Sequence, residues 1–384
     1  MRIFVKLLDL IFYFIVNEIS KIKTIEIIRI YSSRVGHLSW NVDNYHNIIT
    51  QQNSIGSKTR VFILDSTVSN HAILNMFKTG IPGIYIKGKL AHILSQLIKV
   101  ERWKRFVVSW ETIHPNQPRL ANTLRWVEVP KSEINRFLVK HKLTNQQSVV
   151  FHNRDESYLN HTNGDGNYHV YRNFPFSDYS SAISTLQKFN MAAIRIGTII
   201  EEEYLAENLI TLTGENQDYW GDVTGVEISK FFVSGSSGIS HLSTLLRKPH
   251  LYVNLIPFDL ARLSACAQNS VFIPKKLRDL STGNFLSLKE SIDLFRNWTI
   301  HDRHFFTVRK IEIVNNSRQE INEALIEMLW RTNSNWKETF YQSEIRERLE
   351  KLYNDDFSKY VFNDLGIQLS ESFVKHNYKW LFKS

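Results

Sequence analysis

The chain has 384 residues, 43% of them hydrophobic and 12% aromatic; this is ample material for packed cores and more length than one typical domain needs, which excludes disorder and predicts two domains. Its single cysteine, Cys266, rules out an internal disulfide, disfavours a thiolate metal cluster and suits a reducing, cytoplasmic setting. The net charge of +9 attracts anions, but the basic residues are dispersed and neither zinc-finger spacing nor an aromatic-basic ribonucleoprotein signature occurs, so nucleic acid is not an expected partner.

Residues 1–23 read as an N-terminal amphipathic helix. The run from Met1 to Val16 resembles a secretion signal only superficially, because Lys6 and Asp9 interrupt it and no small-residue cleavage site follows. It is also too short and too interrupted to span a bilayer. Two readings stand: a helix lying on the inner-membrane surface with Lys21 and Lys23 at the interface, or a first helix packed on the protein body.

Residues 24–147 form the first expected domain. Thr24–Tyr31 alternates as a strand, Arg60–Leu64 and Gly83–Ile86 make two more, and helical stretches such as Leu90–Val100 lie between. That order predicts an α/β unit with a mostly parallel sheet. The loop after the first strand holds Arg34, Gly36 and His37. His37 is either a proton acceptor near neutral pH or a cap for the next helix. A polar helix-forming segment from Lys131 to Gln147 closes this half.

Residues 148–317 form the second. Strands at Ser148–His152, Ala192–Gly197, Phe231–Val233 and His250–Asn254 alternate with helices, one of them from Tyr179 to Phe189. Open α/β sheets bind ligands at the C-terminal ends of their strands. Those ends carry three features here. Ser234, Gly235, Ser236, Ser237 and Gly238 are a run of small residues whose amides either cradle a phosphate or simply turn the chain. Arg154, followed by Asp155 and Tyr158, either forks onto a phosphate or pairs with Asp155 at the surface. Arg195 and Gly197 end a third strand, and Arg172 follows a polar loop, His161–His169, suited to a lid or an acceptor contact. Two arginines buried without anions are costly, so a bound diphosphate accounts for them economically. His152, His161 and His169 lack ligand spacing and accompanying carboxylates, so no metal site is expected. From 318 to 384 the pattern is a helical tail with a stripe at Ile321, Leu325, Ile326 and Leu329 and no strand signal.

Taken in order, Arg34-Val35-Gly36-His37, His152-x-Arg154-Asp155-x-x-Tyr158, Tyr171-Arg172-Asn173, Ile194-Arg195-Ile196-Gly197, Phe232-x-x-Gly235-Ser236-Ser237-Gly238, Pro257 and the tail's Ser370-Glu371-Ser372-Phe373 resemble a bacterial family of glycosyltransferases from surface-polysaccharide gene clusters. More distantly, the strand ending in His152-x-Arg154 and the serine-rich run are similar to the donor half of fucosyltransferases that use a guanine nucleotide sugar. This chain departs from them where Asp155-Glu156 replaces glycine and aspartate, which leaves donor base and sugar open. The resemblance implies two facing Rossmann-like domains of GT-B type and no essential metal or other cofactor. It implies hexosyl or deoxyhexosyl transfer from a nucleotide-diphosphate sugar to a surface glycan or lipid-linked acceptor. Arg154, Arg172, Arg195, Gly197 and the 234–238 run would hold the donor, and Arg34, Gly36, Asp155 and Tyr158 would line the acceptor side or cleft. His37 and Arg154 would be the catalytic pair, His37 as general base if the anomeric centre inverts. The rivals are a non-catalytic nucleotide- or carbohydrate-binding protein on the same scaffold and a basic peripheral membrane scaffold.

Overall fold

The computed structural model describes residues 2–52, 58–108, 125–157, 160, 169–200, 202–214, 218–256, 258, 260–296, 304–333 and 336–383. They divide into two compact units, the first ending at Glu128 and the second beginning at Val129.

The first unit is built on four parallel strands, β1 Ile25–Ile30, β2 Thr59–Leu64, β3 Ile84–Ile86 and β4 Val107–Val108, in the order β3-β2-β1-β4. Parallel pairing needs a crossover for each strand, and the helices Val35–Gln51, His71–Gly80 and Gly88–Leu97 supply them. Asn70 starts the second of these by accepting a hydrogen bond from the Ile73 amide at 3.0 Å. Ile28, Ile30, Phe62 and Phe77 are fully enclosed. Arg60, only 1% exposed, is tolerated among them because its Nε donates to the Tyr45 hydroxyl at 2.9 Å and lies 3.4 Å from the Glu26 carboxylate.

The second unit holds seven parallel strands. They are β5 Ser148–His152, β6 Ala192–Ile196, β7 Leu209–Leu212, β8 Phe232–Ser234, β9 His250–Leu255, β10 Val271–Pro274 and, at one edge, β13 Gln368–Leu369. The order is β13-β10-β9-β8-β5-β6-β7. Strands β5, β8, β9 and β10 are buried almost throughout, as befits a parallel sheet covered by helices on both faces. From β5 the chain winds outward through β6 to β7, then returns past β5 to β8 and winds the other way. The reversal between β5 and β8 opens a crevice at their C-terminal ends. The fold is α/β, with Rossmann-like strand order in each unit.

Three details differ from the sequence reading. The helix Lys131–Lys140, read as the end of the first domain, belongs to the second unit, where Phe137 packs beside Gly225 of the helix Tyr219–Ile228. A small antiparallel ribbon, β11 Lys276–Asp279 with β12 Ile311–Val314, follows β10. The tail is helical over most of its length, but β13 extends the main sheet by pairing Gln368 and Leu369 with Val271 and Phe272. The stripe of Ile321, Leu325 and Leu329 is buried in the helix Arg318–Asn333, so the tail completes the core of this unit.

Candidate functional site

At the crevice, the ends of β5, β6 and β8 are tied together by one side chain. His152 Nδ1 lies 3.0 Å from the Ile196 carbonyl and Nε2 lies 2.9 Å from Ser237 Oγ. A carbonyl only accepts, so Nδ1 bears the proton and Nε2 accepts from the serine. Burial pushes the His152 pKa down to about 4, which holds the ring neutral in this bridging role. Gly197 lies beside it at φ +149, and a Cβ there would come within 3.4 Å of His152 Nδ1. Glycine is needed at this position for its backbone conformation.

The serine run turns sharply after β8, and its hydroxyls are engaged internally. Ser234 Oγ is 3.0 Å from His250 Nε2, Ser236 Oγ accepts from the Ile256 amide at 3.3 Å, and Ser240 Oγ bonds the Ser237 carbonyl while accepting from Tyr252 OH at 3.0 Å. These bonds hold the turn in shape. The main-chain amides of Ser236, Ser237 and Gly238, in contrast, donate to no described group. Successive unengaged N–H groups at a switch point form an anion-binding concavity. The helix that follows, His241–Leu245, has only five residues, so the loop amides, not a helix dipole, are what the site offers an anion. Gly235 also has a packing reason to be glycine: a Cβ would stand 2.5 Å from the Phe174 ring.

Four cations gather near this turn. Arg154 follows β5 and donates to the His169 carbonyl at 3.1 Å and to Asn173 Oδ1. Arg172 donates to Tyr171 OH at 3.1 Å. Burial, then the nearby charge of Arg262, pushes its pKa down to about 9. Lys275, directly after β10 and 5% exposed, gives its ammonium to the carbonyls of Tyr171 at 3.0 Å and Asn173 at 2.8 Å. Its pKa is pushed down to about 7 by burial and further by Arg154, with Asp178 opposing. Tyr252, the residue bonded to Ser240, lies within the electrostatic reach of both Arg262 and Arg172. A guanidinium such as Arg172, whose charged form is disfavoured by burial and by neighbouring cations, is poised to take up an anion.

Arg195 does not join them. Its guanidinium is 1% exposed, stacks 3.8 Å above the Phe176 ring and donates to the Glu202 carbonyl at 2.7 Å and to Asn153 Oδ1 at 3.3 Å. It holds the segment around Phe176 onto the sheet, and the donor-binding role expected from its place at a strand end is corrected to a structural one. Ser234, fully buried against His250, is likewise structural. Asp155 accepts from the Ser157 amide at 3.2 Å and from its hydroxyl, which shapes its own loop. Tyr158, Pro257 and residues 161–168 lie outside the described residues. Lys275 and Arg262 escaped the sequence reading, although a lysine directly after the apolar run Val271-Phe272-Ile273-Pro274 was a usable signal.

In the first unit, Arg34, Gly36 and His37 lie where β1 gives way to the helix Val35–Gln51. Arg34 occupies the N-cap position, Gly36 is buried and His37 is exposed on the first turn. The base of this loop is stitched by Asp65, which accepts from the Ser33 amide at 3.0 Å and hydroxyl at 2.8 Å. Partial desolvation and then Arg34 lower the His37 pKa, with Asp65 opposing. Its ring is therefore neutral at physiological pH and able to accept a proton.

No family model matches the chain, and no curated protein does. Solved structures are similar in fold. The ADP-heptose lps heptosyltransferase II of E. coli aligns over 81% of this chain and 100% of its own at 12% identity and a TM-score of 0.50. The glycosyltransferase family 9 protein of Veillonella parvula DSM 2008 aligns over 80% and 98% at 10% identity and 0.47. E. coli heptosyltransferase WaaC, solved with ADP, aligns over 60% and 87% at 12% identity and 0.34. The first of these likenesses, at that identity, is one of fold, and the fold is the Rossmann-like GT-B arrangement.

Proposed function

We propose that the chain is a glycosyltransferase that uses a nucleotide-diphosphate sugar and no metal ion, passing the sugar to a surface glycan or a lipid-linked acceptor. One observation above all supports this: the unengaged amides of residues 236–238 lie at the switch point of a Rossmann-ordered sheet, in the same unit as Arg172, whose pKa is lowered by burial and by the charges of Arg262 and Arg154. In the reaction the bond between the anomeric carbon and the diphosphate oxygen breaks, and the acceptor oxygen takes its place on carbon. The departing diphosphate gathers negative charge. Amide dipoles and guanidiniums aimed at that charge lower the barrier without reorganising, the term that dominates such transfers. Arg172 and Arg154 are the proposed clamps, with Lys275 fixing the 171–173 segment beneath them. His37 is the proposed general base for the acceptor hydroxyl.

Calorimetry with ADP, GDP and UDP tests the reading. ADP comes first because the E. coli enzymes of similar fold are named or were solved with it. Arg172→Ala and Arg154→Ala should each weaken the nucleotide that binds by roughly 1.5–3 kcal/mol, the range for a hydrogen bond to a charged group. Binding of no nucleoside diphosphate, or affinity untouched by both substitutions, overturns the donor site.

A further inference from the structure

The N-terminal helix, Arg2–Ser20, is both packed and open. One side is anchored to the first unit: Asp9 Oδ1 accepts from Trp103 Nε1 at 2.7 Å, Arg102 reaches the same carboxylate at 2.8 Å, and the Tyr13 ring meets Trp103 edge-on at 5.6 Å. Phe12 and Val16 pack against the same cluster. The other side is an apolar stripe facing outward, interrupted near its C-terminal end by Glu18. Leu10 is 53% exposed, Ile11 48%, Phe14 64%, Ile15 46% and Ile19 46%, and Ile22, just past the helix, is 92% exposed. The spacing repeats every three to four residues, so these side chains share one face.

Scattered exposed apolar residues need no explanation, but a full helical face of them marks a contact. Charge identifies the partner. Residues 1–23 and the neighbouring segment 99–105 together hold eight Lys/Arg against three Asp/Glu, and one of those acids, Asp9, is buried. Arg105 reaches Asn17 and covers the Tyr13 ring at 5.4 Å, so with Arg102 it runs along the helix flank. At the other end Lys21 pairs with Glu18 at 2.7 Å and stays 63% exposed, and Lys23 is exposed. Among the described residues no helix is long and apolar enough to cross a membrane. An apolar stripe bordered by cations on a helix anchored from behind fits a helix lying in the headgroup layer of an anionic bilayer.

We propose that this face docks the protein on anionic lipid, with Phe14 and Ile15 inserted at the centre and the flanking lysines and arginines at lipid phosphates. Flotation of the full chain with vesicles tests it. The protein should float with vesicles of mixed phosphatidylcholine and phosphatidylglycerol, much less with phosphatidylcholine alone, and less as salt rises. Phe14→Glu with Ile15→Glu should reduce binding at least about tenfold by charging the inserted face. Lys21→Glu with Lys23→Glu should reduce it by about fivefold or more for each cation lost, from the surface potential. All four positions are exposed, and an unchanged thermal midpoint identifies folded variants. Failure to float with anionic vesicles, or flotation indifferent to the Phe14 and Ile15 substitutions, overturns the proposal. So does a lipid-free dimer that those two substitutions dissociate, since the stripe would then cover a second copy.

Discussion

Single residues decide the chemistry of both units. Lys275 is a buried ammonium whose pKa is pushed down to about 7, against about 10.4 for an unfolded lysine. Between those values the unfolded chain binds more protons than the folded one, so this residue makes stability rise with pH across that window. Lys275→Met should flatten the rise in thermal midpoint between about pH 7 and 9 relative to the parent, given the linkage just stated. Identical slopes in the two proteins would show that the ammonium is not depressed. His37 makes the opposite kind of claim, on rate. His37→Gln should lower kcat by about 10²–10⁴, the range for general base catalysis, while donor affinity is unchanged. Its lowered pKa puts the acid limb of the parent's kcat/KM profile below the ordinary histidine range, because activity falls only once the ring is protonated. Parent-like turnover in the variant would remove His37 from the mechanism.

Elements were largely legible, and the exceptions have physical causes. The strands at 25–30, 59–64, 148–152 and 250–255 are rich in β-branched, aromatic or other apolar residues, a local signal. Strand β13, two residues inside a helical tail, has no such signal and exists because the edge of β10 was available to pair. The serine turn was legible as a tight strand exit, but not the division of labour within it: the hydroxyls are held internally and the amides are left over. Gly235→Ala tests the packing half of that account. The added methyl would stand 2.5 Å from the Phe174 ring, so the variant should lose about 1–3 kcal/mol of stability in denaturant melts, the usual range for overpacking. Pairing it with Phe174→Leu should restore part of that, and an unaffected single variant would mean the ring moves aside freely.

On the scale of the whole molecule, the charge of +9 has two separate outlets: a cation cluster at the crevice of the second unit and a basic border on the N-terminal helix of the first. In the proposed function the former takes the place of a divalent ion in holding a diphosphate. Transfer activity should therefore persist in excess chelator, and loss of turnover restored by magnesium or manganese would overturn the metal-free reading. The alternation of strands and helices, two α/β halves and the strand-end positions of the arginines all follow from sequence, because apolar periodicity and glycine placement are properties of neighbouring residues. Which arginine faces the crevice does not. Arg154 and Arg195 end adjacent strands and look equivalent along the chain, yet Arg195 is capped by Phe176 and the Glu202 carbonyl while Lys275, about a hundred residues away, moves in beside Arg154. Only the tertiary structure settles such a choice, because the free energy of a charge depends on the dipoles, carbonyls and other charges folded around it, and those come from distant parts of the chain.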